Sequence, residues 1–248
     1  FKSYNEHSYL LIFACNKYPK ATHLDNLTCA VADGKLIEKT MRQHNFKVLG
    51  TYYDENCTKD NIEKELVKLM ERFPHTGKLI GRLYIMFAGH GLKDELSGSS
   101  KFCCHDYNED HEYSTSYPLN EIKIKIQRIG LKHIVLHLDC CHAGGIFTAN
   151  RARKVDFKAE THANKPTVAA VTAVTDEEQA LESGGNGLFT KSVCTYLDVN
   201  TKYIFEAYDS EYVTLSQLFE NVYGEVTTKA NETKAKMTPM KRDILERH

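Results

Sequence analysis

Short, largely apolar runs alternate with amphipathic stretches along most of the chain. The apolar runs predict strands at residues 9–14, 47–53, 83–88, 134–138 and 168–174. Apolar residues at helical spacing predict helices at residues 25–44, 58–73, 119–129, 187–197 and 215–226. Because strands without polar alternation are typical of sheets covered on both faces, the pattern predicts an α/β fold with a mostly parallel sheet.

Four segments carry a weaker pattern. Residues 92–117 are polar and predict a long loop or a small hairpin, while the tail from Met237 predicts an edge strand. The isoleucines of 119–129 also alternate as in a strand, but Gly130 supplies a helix stop and favours the helix. Residues 151–165 are basic and lack periodicity, which indicates an exposed linker.

Two loops of the predicted sheet carry reactive side chains. Ligands of open α/β sheets bind beyond the carboxyl ends of the strands, and two predicted strands end at Ala88 and Leu138. The loops that follow them contain His90 and Cys141. Strand alternation directs the preceding residue, Cys140, to the opposite side, into the sheet.

A cysteine and a histidine at adjacent strand ends suit nucleophilic catalysis. A thiol attacks a carbonyl as its thiolate, which His90 can generate by accepting the proton of Cys141. The backbone N–H groups of Gly91 and Cys141 are candidates for an oxyanion hole. Taken alone, a Gly-His-Gly tripeptide is most often a turn and a buried cysteine is most often inert. The catalytic interpretation therefore depends on both residues lying at the same sheet edge.

The two loops resemble the paired motifs of metacaspases and bacterial caspase-like peptidases. Residues 87–91 read Phe-Ala-Gly-His-Gly and residues 139–144 read Asp-Cys-Cys-His-Ala-Gly. His90 precedes Cys141 by about 50 residues, the separation known for caspases. Residues 27–33, which end in Asp33, and 187–190, Gly-Leu-Phe-Thr, resemble two further motifs of the family.

The resemblance spans about residues 7 to 200 and implies a caspase-like fold. It implies a central sheet of about six strands, flanked by helices on both faces, in one peptidase domain. A large-subunit part over 1–150 would be joined by the basic linker at 151–165 to a small-subunit part over 166–248. The chain lacks the Gln-Ala-Cys signature of animal caspases, which argues against cleavage after aspartate.

The resemblance also implies that Asp33 and Asp139 line the pocket for the substrate residue P1. Two carboxylates in a pocket of low dielectric favour Arg or Lys at P1, since Arg pairs with carboxylates through two hydrogen bonds. The alternative is that Asp33 pairs within its helix and Asp139 orients a loop. A peptidase of this specificity could cut its own basic linker, and the candidate positions are Arg151, Arg153 and Lys154.

Composition and charge argue against several classes of function. The net charge of −1 argues against a nucleic-acid partner, and no apolar run approaches the length that spans a bilayer. Eight cysteines in a long chain with no visible signal peptide predict reduced thiols and a cytoplasmic location. No Cys-x2-Cys spacing supports a metal site, and no cofactor is expected to be required.

Calcium is weakly supported, because the acids after the histidine motif are scattered and lack the spacing that metacaspases show. They are Asp94, Glu95, Asp106, Glu109 and Asp110.

Three other functions remain open at this point. The chain could be an inactive caspase-like scaffold that binds partner proteins, or a different Cys-His hydrolase such as a transpeptidase or deamidase. It could also be a flavodoxin-like or nucleotide-binding domain, but residues 14–17 after the first strand lack the glycines of a phosphate loop. The sequence favours a cysteine endopeptidase that acts on peptides and proteins with a basic P1 residue.

Overall fold

The computed structural model describes residues 7–75, 79–94, 98–147, 167–175, 178, 180–200 and 213–246. A sheet of six strands forms the centre of the molecule: β1 (Ser8–Ala14), β2 (Lys47–Tyr53), β3 (Arg82–Ala88), β7 (His133–Asp139), β8 (Thr167–Thr172) and β11 (Met240–Glu246). Their order across the sheet is β11-β8-β7-β3-β1-β2. Only β11 runs antiparallel to its neighbour within this sheet.

Helices and short strands complete the described fold. The helices are α1 (Ala30–Gln43), α2 (Lys59–Arg72), α3 (Glu112–Thr115), α4 (Leu119–Ile126), α5 (Leu188–Leu197) and α6 (Leu215–Glu232). The short strands are β4 (Gly91–Lys93), β5 (Ser100–Cys103), β6 (Ser116–Pro118), β9 (Glu182–Ser183) and β10 (Asn186–Gly187). Two buried apolar clusters cover the two faces of the sheet, as the unbroken apolar runs of its strands require.

The register of the central strands fixes where the site can form. Strands β3 and β7 pair in parallel, with Ala88 opposite Asp139. The two strands therefore end at the same level, and the loops that carry His90 and Cys141 leave the sheet side by side. The condition on which the catalytic interpretation depends, that both residues lie at the same sheet edge, is therefore met.

The structure confirms the predicted α/β fold and corrects two of its segments. The first helix begins at Ala30 and not near residue 25, because Asn16 accepts the backbone N–H of Val31 and an irregular loop precedes the helix. Over residues 92–117, β4 and β5 pair antiparallel as the predicted small hairpin would, but the segment also contains α3, and β6 adds a third strand to this sheet. The helix at 119–129 is confirmed over Leu119–Ile126, and the predicted edge strand is β11.

Other sequence predictions lie beyond what the structure tests. The linker at 151–165 falls outside the described residues. The division into large and small parts stays a prediction. Within the described part of the chain, no helix combines the length and the apolar character needed to cross a bilayer.

Candidate functional site

The loop after β3 is shaped by a glycine that approaches its neighbours closely. Gly89 has a φ of 152°, and a Cβ at this position would lie 2.6 Å from the hydroxyl oxygen of Tyr18. Its backbone N–H donates to the carbonyl oxygen of Asp139, 3.2 Å away on β7. Gly89 thus turns the chain while keeping His90 tied to the strand that leads to Cys141.

Hydrogen bonds on two sides hold His90 in place. Its backbone N–H donates to the Tyr18 hydroxyl at 2.8 Å, and that hydroxyl donates in turn to the carbonyl of Cys15 at 2.9 Å. The ring atom Nε2 lies 2.8 Å from the backbone carbonyl of Asp25. Because a carbonyl oxygen only accepts, Nε2 carries the proton and Nδ1 keeps its lone pair. Nδ1 is therefore the ring atom available to act as a base.

The two adjacent cysteines occupy different environments. Cys140 is 2% exposed, and burial raises the pKa of its thiol well above the ordinary value. Cys141 is half-buried and begins the turn after β7. His142, the next residue, adopts a φ of 57°, which is uncommon for a residue with a side chain. The turn leaves Cys141 partly exposed to solvent, while Cys140 remains an inert thiol in the core.

Gly91 lies directly against the backbone of Cys141. A Cβ at position 91 would be 2.0 Å from the carbonyl oxygen of Cys141, a distance that no side chain tolerates. The two proposed oxyanion donors, Gly91 and Cys141, thus belong to backbone segments in contact. Among the described residues, the hydrogen bonds of the His90 ring include none to the Cys141 thiol, as is common in substrate-free enzymes.

The structure brings Asp33 and Asp139 together around Gly187. A Cβ on Gly187 would lie 2.9 Å from Oδ2 of Asp33 and 3.0 Å from Oδ2 of Asp139. Gly187 donates its backbone N–H to Asp33 at 3.0 Å, and Thr190 donates its hydroxyl to Asp139 at 2.5 Å. Both donors lie at the amino end of α5, which favours negative charge. Asp33 and Asp139 are called the carboxylate pair below.

Burial makes the carboxylate pair costly to keep charged. Asp33 is 3% exposed, and burial together with the charge of Asp139 raises its pKa to about 7. Burial also raises the pKa of Asp139, against the effect of the Thr190 donors. In the described part of the chain, no ion pair joins either carboxylate to a Lys, Arg or His. Both carboxylates are thus buried without a basic partner in this part of the chain.

Several residues that contact His90 or the carboxylate pair were not identified from the sequence. Tyr18 and Asp25 hold His90, and Asn186 donates to Asp33 at 2.8 Å. Thr190 stands in a recognised motif, but its role as a donor to Asp139 requires the fold. Glu182 adds a third carboxylate whose charge contributes to the raised pKa of Asp33. No local pattern marks Tyr18, Asp25 or Glu182, since each acts through a contact distant in sequence.

Two of the acids considered for calcium, Asp94 and Glu109, have protein partners, and Glu95 lies outside the described residues. Lys101 forms an ion pair with Asp94 at 3.9 Å, and Tyr113 donates its hydroxyl to Asp94 at 2.8 Å. Glu109 accepts the backbone N–H groups of two residues in another loop. Over the described residues, no group of three or more His, Cys, Asp or Glu side chains is placed to hold a metal ion.

Arg151, Arg153 and Lys154 lie outside the described residues, so the self-processing hypothesis stays a prediction. All eight cysteines carry free thiols, and seven of them are buried.

Comparison with known proteins identifies the architecture. The family model of the caspase domain matches residues 7–246. A structural genomics target protein from Geobacter sulfurreducens superposes with a TM-score of 0.62 at 14% identity, over 95% of this chain and 92% of its own. Caspase-1 from Spodoptera frugiperda gives a TM-score of 0.61 at 14% identity, over 97% of this chain and 88% of its own. No curated protein matches the chain.

Proposed function

Because the chain belongs to the caspase domain family, a family of cysteine peptidases, we propose that it is an endopeptidase that cleaves after Arg or Lys. Cys141 is the nucleophile and His90 is the base. The observation that carries the specificity is the carboxylate pair, which is buried beside the nucleophile's strand and has no basic partner among the described residues. A guanidinium or ammonium group at P1 would supply that partner.

Acylation follows from the protonation state of His90. Nδ1 takes the proton of the Cys141 thiol, and the thiolate attacks the carbonyl carbon of the P1 residue. The oxyanion that forms accepts hydrogen bonds from the backbone N–H groups of Gly91 and Cys141. When the C–N bond breaks, the amine leaves with the proton that Nδ1 held, and a thioester joins the acyl group to Cys141.

Deacylation uses the same groups, with water in place of Cys141 as the nucleophile. His90 Nδ1 accepts a proton from water as the oxygen attacks the thioester carbonyl. The C–S bond breaks, Cys141 recovers its proton from the imidazolium, and the carboxylic acid product leaves. Asp25 keeps the proton on Nε2 throughout, because its carbonyl accepts that N–H at 2.8 Å. No step in this sequence uses a metal ion, and peptide turnover with and without a calcium chelator tests whether calcium is required.

A peptide warhead provides the direct test of the proposed activity. An acyloxymethyl ketone with Arg at P1 should label the protein, and mass spectrometry should place the label on Cys141. The matched reagent with Asp at P1 should label poorly. Absence of labelling by the Arg reagent, in folded protein, would favour the inactive scaffold over the peptidase.

Self-processing is a separate part of the proposal. The basic stretch at Arg151, Arg153 and Lys154 offers the P1 residues that the carboxylate pair would select. Intact-mass measurement should show cleavage at this stretch in the wild type and none in Cys141→Ala. A wild type that turns over peptides while remaining intact would show that processing is not required. Equal cleavage in both proteins would point to another protease.

A further inference from the structure

A continuous chain of buried polar groups leads from the interior of the sheet to Asp139. The hydroxyl of Tyr84 lies 2.6 Å from Nδ1 of His137, and Nε2 of His137 lies 3.0 Å from Oγ1 of Thr190. The Thr190 hydroxyl then reaches Oδ2 of Asp139 at 2.5 Å. These three residues, Tyr84, His137 and Thr190, are called the relay below.

The donor and the acceptor of each hydrogen bond in the relay can be assigned by starting from the bond between Thr190 and Asp139. Burial raises the pKa of Asp139, but its Oδ2 accepts the Thr190 hydroxyl in the arrangement observed. With its proton committed to Asp139, the Thr190 oxygen can only accept from His137, so Nε2 carries the ring proton. Nδ1 is then the acceptor for the Tyr84 hydroxyl. A neutral imidazole satisfies both contacts, and burial lowers the pKa of His137 to about 3.

The relay is enclosed and fully satisfied. His137 and Thr190 are both 0% exposed, and the ring of His137 packs 4.9 Å from that of Phe189. Two hydrogen bonds and this packing leave His137 no room for another orientation. A buried polar network in which each member has its partner is rigid, because loss of any contact leaves an unpaired polar atom.

We propose that His137 and Thr190 are positioning residues for P1 recognition, because the relay fixes the Thr190 hydroxyl as a permanent donor to Asp139. This inference rests on the proposed peptidase specificity and extends it. Without the relay, the Thr190 hydroxyl could rotate toward another acceptor. Asp139 would then lose a charge-assisted hydrogen bond and the side-chain orientation that it fixes. The relay acts on the affinity for the P1 cation and touches neither Cys141 nor His90.

A binding measurement tests the relay without using catalysis. Agmatine carries the guanidinium of an Arg side chain, and its dissociation constant can be measured by calorimetry on Cys141→Ala protein. We expect Thr190→Val in this background to weaken binding by about tenfold or more, the range for a hydrogen bond to a charged group. Thr190→Ser keeps the hydroxyl and should restore binding to near that of the parent. His137→Phe keeps the ring and should give an intermediate loss.

Matched variants control for damage to the core. Thr172 is also a buried threonine, whose hydroxyl donates to the carbonyl of Val174 at 2.9 Å. His133 lies on the same strand as His137 and pairs with Thr167 at 2.8 Å, at the opposite end of β7. Thr172→Val and His133→Phe should leave the affinity for agmatine unchanged, even where they lower the melting temperature.

Kinetics on the active enzyme supply a second readout. In Thr190→Val, KM for an Arg peptide should rise by about tenfold while kcat stays close to wild type, as expected when binding common to ground and transition states is lost. The rate of Cys141 alkylation by iodoacetamide, which has no P1 group, should not change. An equal fall of kcat and alkylation rate would indicate general structural damage and overturn the inference.

The remaining outcomes separate the relay from the proposed peptidase activity. If Arg peptides are cleaved but Thr190→Val binds agmatine as tightly as the parent protein, the relay inference is wrong and the peptidase stands. If agmatine binding responds as described but no peptide is cleaved, the relay is supported and the peptidase proposal fails. If the parent protein does not bind agmatine, the relay has no cation site to organise and the inference is overturned.

Discussion

The His90–Cys141 dyad and the carboxylate pair lie at the same edge of the sheet, yet different kinds of contact hold them. His90 is fixed by a backbone carbonyl and a tyrosine hydroxyl, and Cys141 by the close approach of Gly91. Asp33 and Asp139 are fixed by donors at the start of α5 and by the buried relay behind Thr190. The dyad depends on loop geometry, while the carboxylate pair depends on the interior.

The groups proposed for reactivity and the groups proposed for specificity are therefore held by separate parts of the structure. In the proposed peptidase the dyad moves protons and reaches a substrate, and His90 and Cys141 are both partly exposed. In the same proposal the carboxylate pair discriminates between P1 residues, because a P1 residue without a positive charge leaves a buried carboxylate unpaired. Substitutions in the loops should therefore change the chemical step, and substitutions around Gly187 should change the choice of substrate.

The largest effect is expected at the dyad itself. Cys141→Ala should abolish peptidase activity, and His90→Ala should lower kcat by about 10²–10⁴-fold, the usual contribution of a base. Cys140→Ala is the matched control and should keep most of the activity, since its thiol is buried. Steady-state kinetics with an Arg peptide, alongside circular dichroism, checks this. Equal loss in both cysteine variants with the fold intact would refute the assignment.

Substitution of Gly91 by alanine should test the contact between the two loops without changing His90 or Cys141. Gly91→Ala would place a Cβ 2.0 Å from the Cys141 carbonyl oxygen and must displace that backbone. A shift of about 1 Å at a nucleophile can cost about 10²-fold, so we expect a loss of that size in kcat. Gly98, where a Cβ would meet nothing within 4 Å, is a control for added side-chain volume, although its φ of 68° disfavours alanine. Unchanged kcat in Gly91→Ala would contradict the close contact.

A methyl group at Gly187 should act on the carboxylate pair. Gly187 has an ordinary φ of −62°, so alanine fits the backbone and only the space between the two carboxylates is lost. We expect Gly187→Ala to raise KM for Arg peptides by about 10- to 100-fold, the loss of a charged hydrogen bond or two. Iodoacetamide should still alkylate Cys141 at the wild-type rate. A variant with normal KM would place the P1 residue elsewhere.

The affinity for a P1 cation should depend on pH. A cation binds the ionised form of Asp33, whose pKa is raised to about 7 by burial and by Asp139. Binding should be tight above pH 7 and weaken as Asp33 is protonated below it, by at most about tenfold per pH unit. Calorimetry with agmatine on Cys141→Ala checks the slope. Asp33→Asn should bind more weakly and should lose this part of the pH dependence.

A further effect is expected on stability. The raised pKa of Asp33 contributes stability that is present below the ordinary value of 3.8 and is lost as pH rises through about 7. The difference in melting temperature, Asp33→Asn minus wild type, should therefore increase between pH 4 and pH 8. A gain of about 10 °C is expected, since a rise in the pKa from 3.8 to about 7 corresponds to about 4 kcal/mol, and about 1 kcal/mol shifts a chain of this size by about 2–4 °C. A constant difference across this range would contradict the burial of a charged carboxylate.

The sequence predicts the sheet and the dyad because both leave local signals. Unbroken apolar runs mark the strands, and His90 and Cys141 directly follow two of them. The start of α1 was misplaced because the apolar spacing continues into a loop that side chains of Asn16 and Asp54 hold in place. The relay was missed for a similar reason. His137 reads as one polar residue in a strand, and its partners lie 53 residues away on either side.

The ratio of kcat/KM for P1 arginine over P1 citrulline tests the carboxylate pair most directly. Citrulline has nearly the shape of arginine without the charge, so the two peptides differ only in what Asp33 and Asp139 recognise. We expect the wild type to prefer arginine by at least about 10²-fold, since an uncharged P1 residue leaves the buried pair without a cation. Asp33→Asn should lose most of this preference. Comparable cleavage of both peptides by the wild type would contradict the assignment of Asp33 and Asp139 to the P1 pocket.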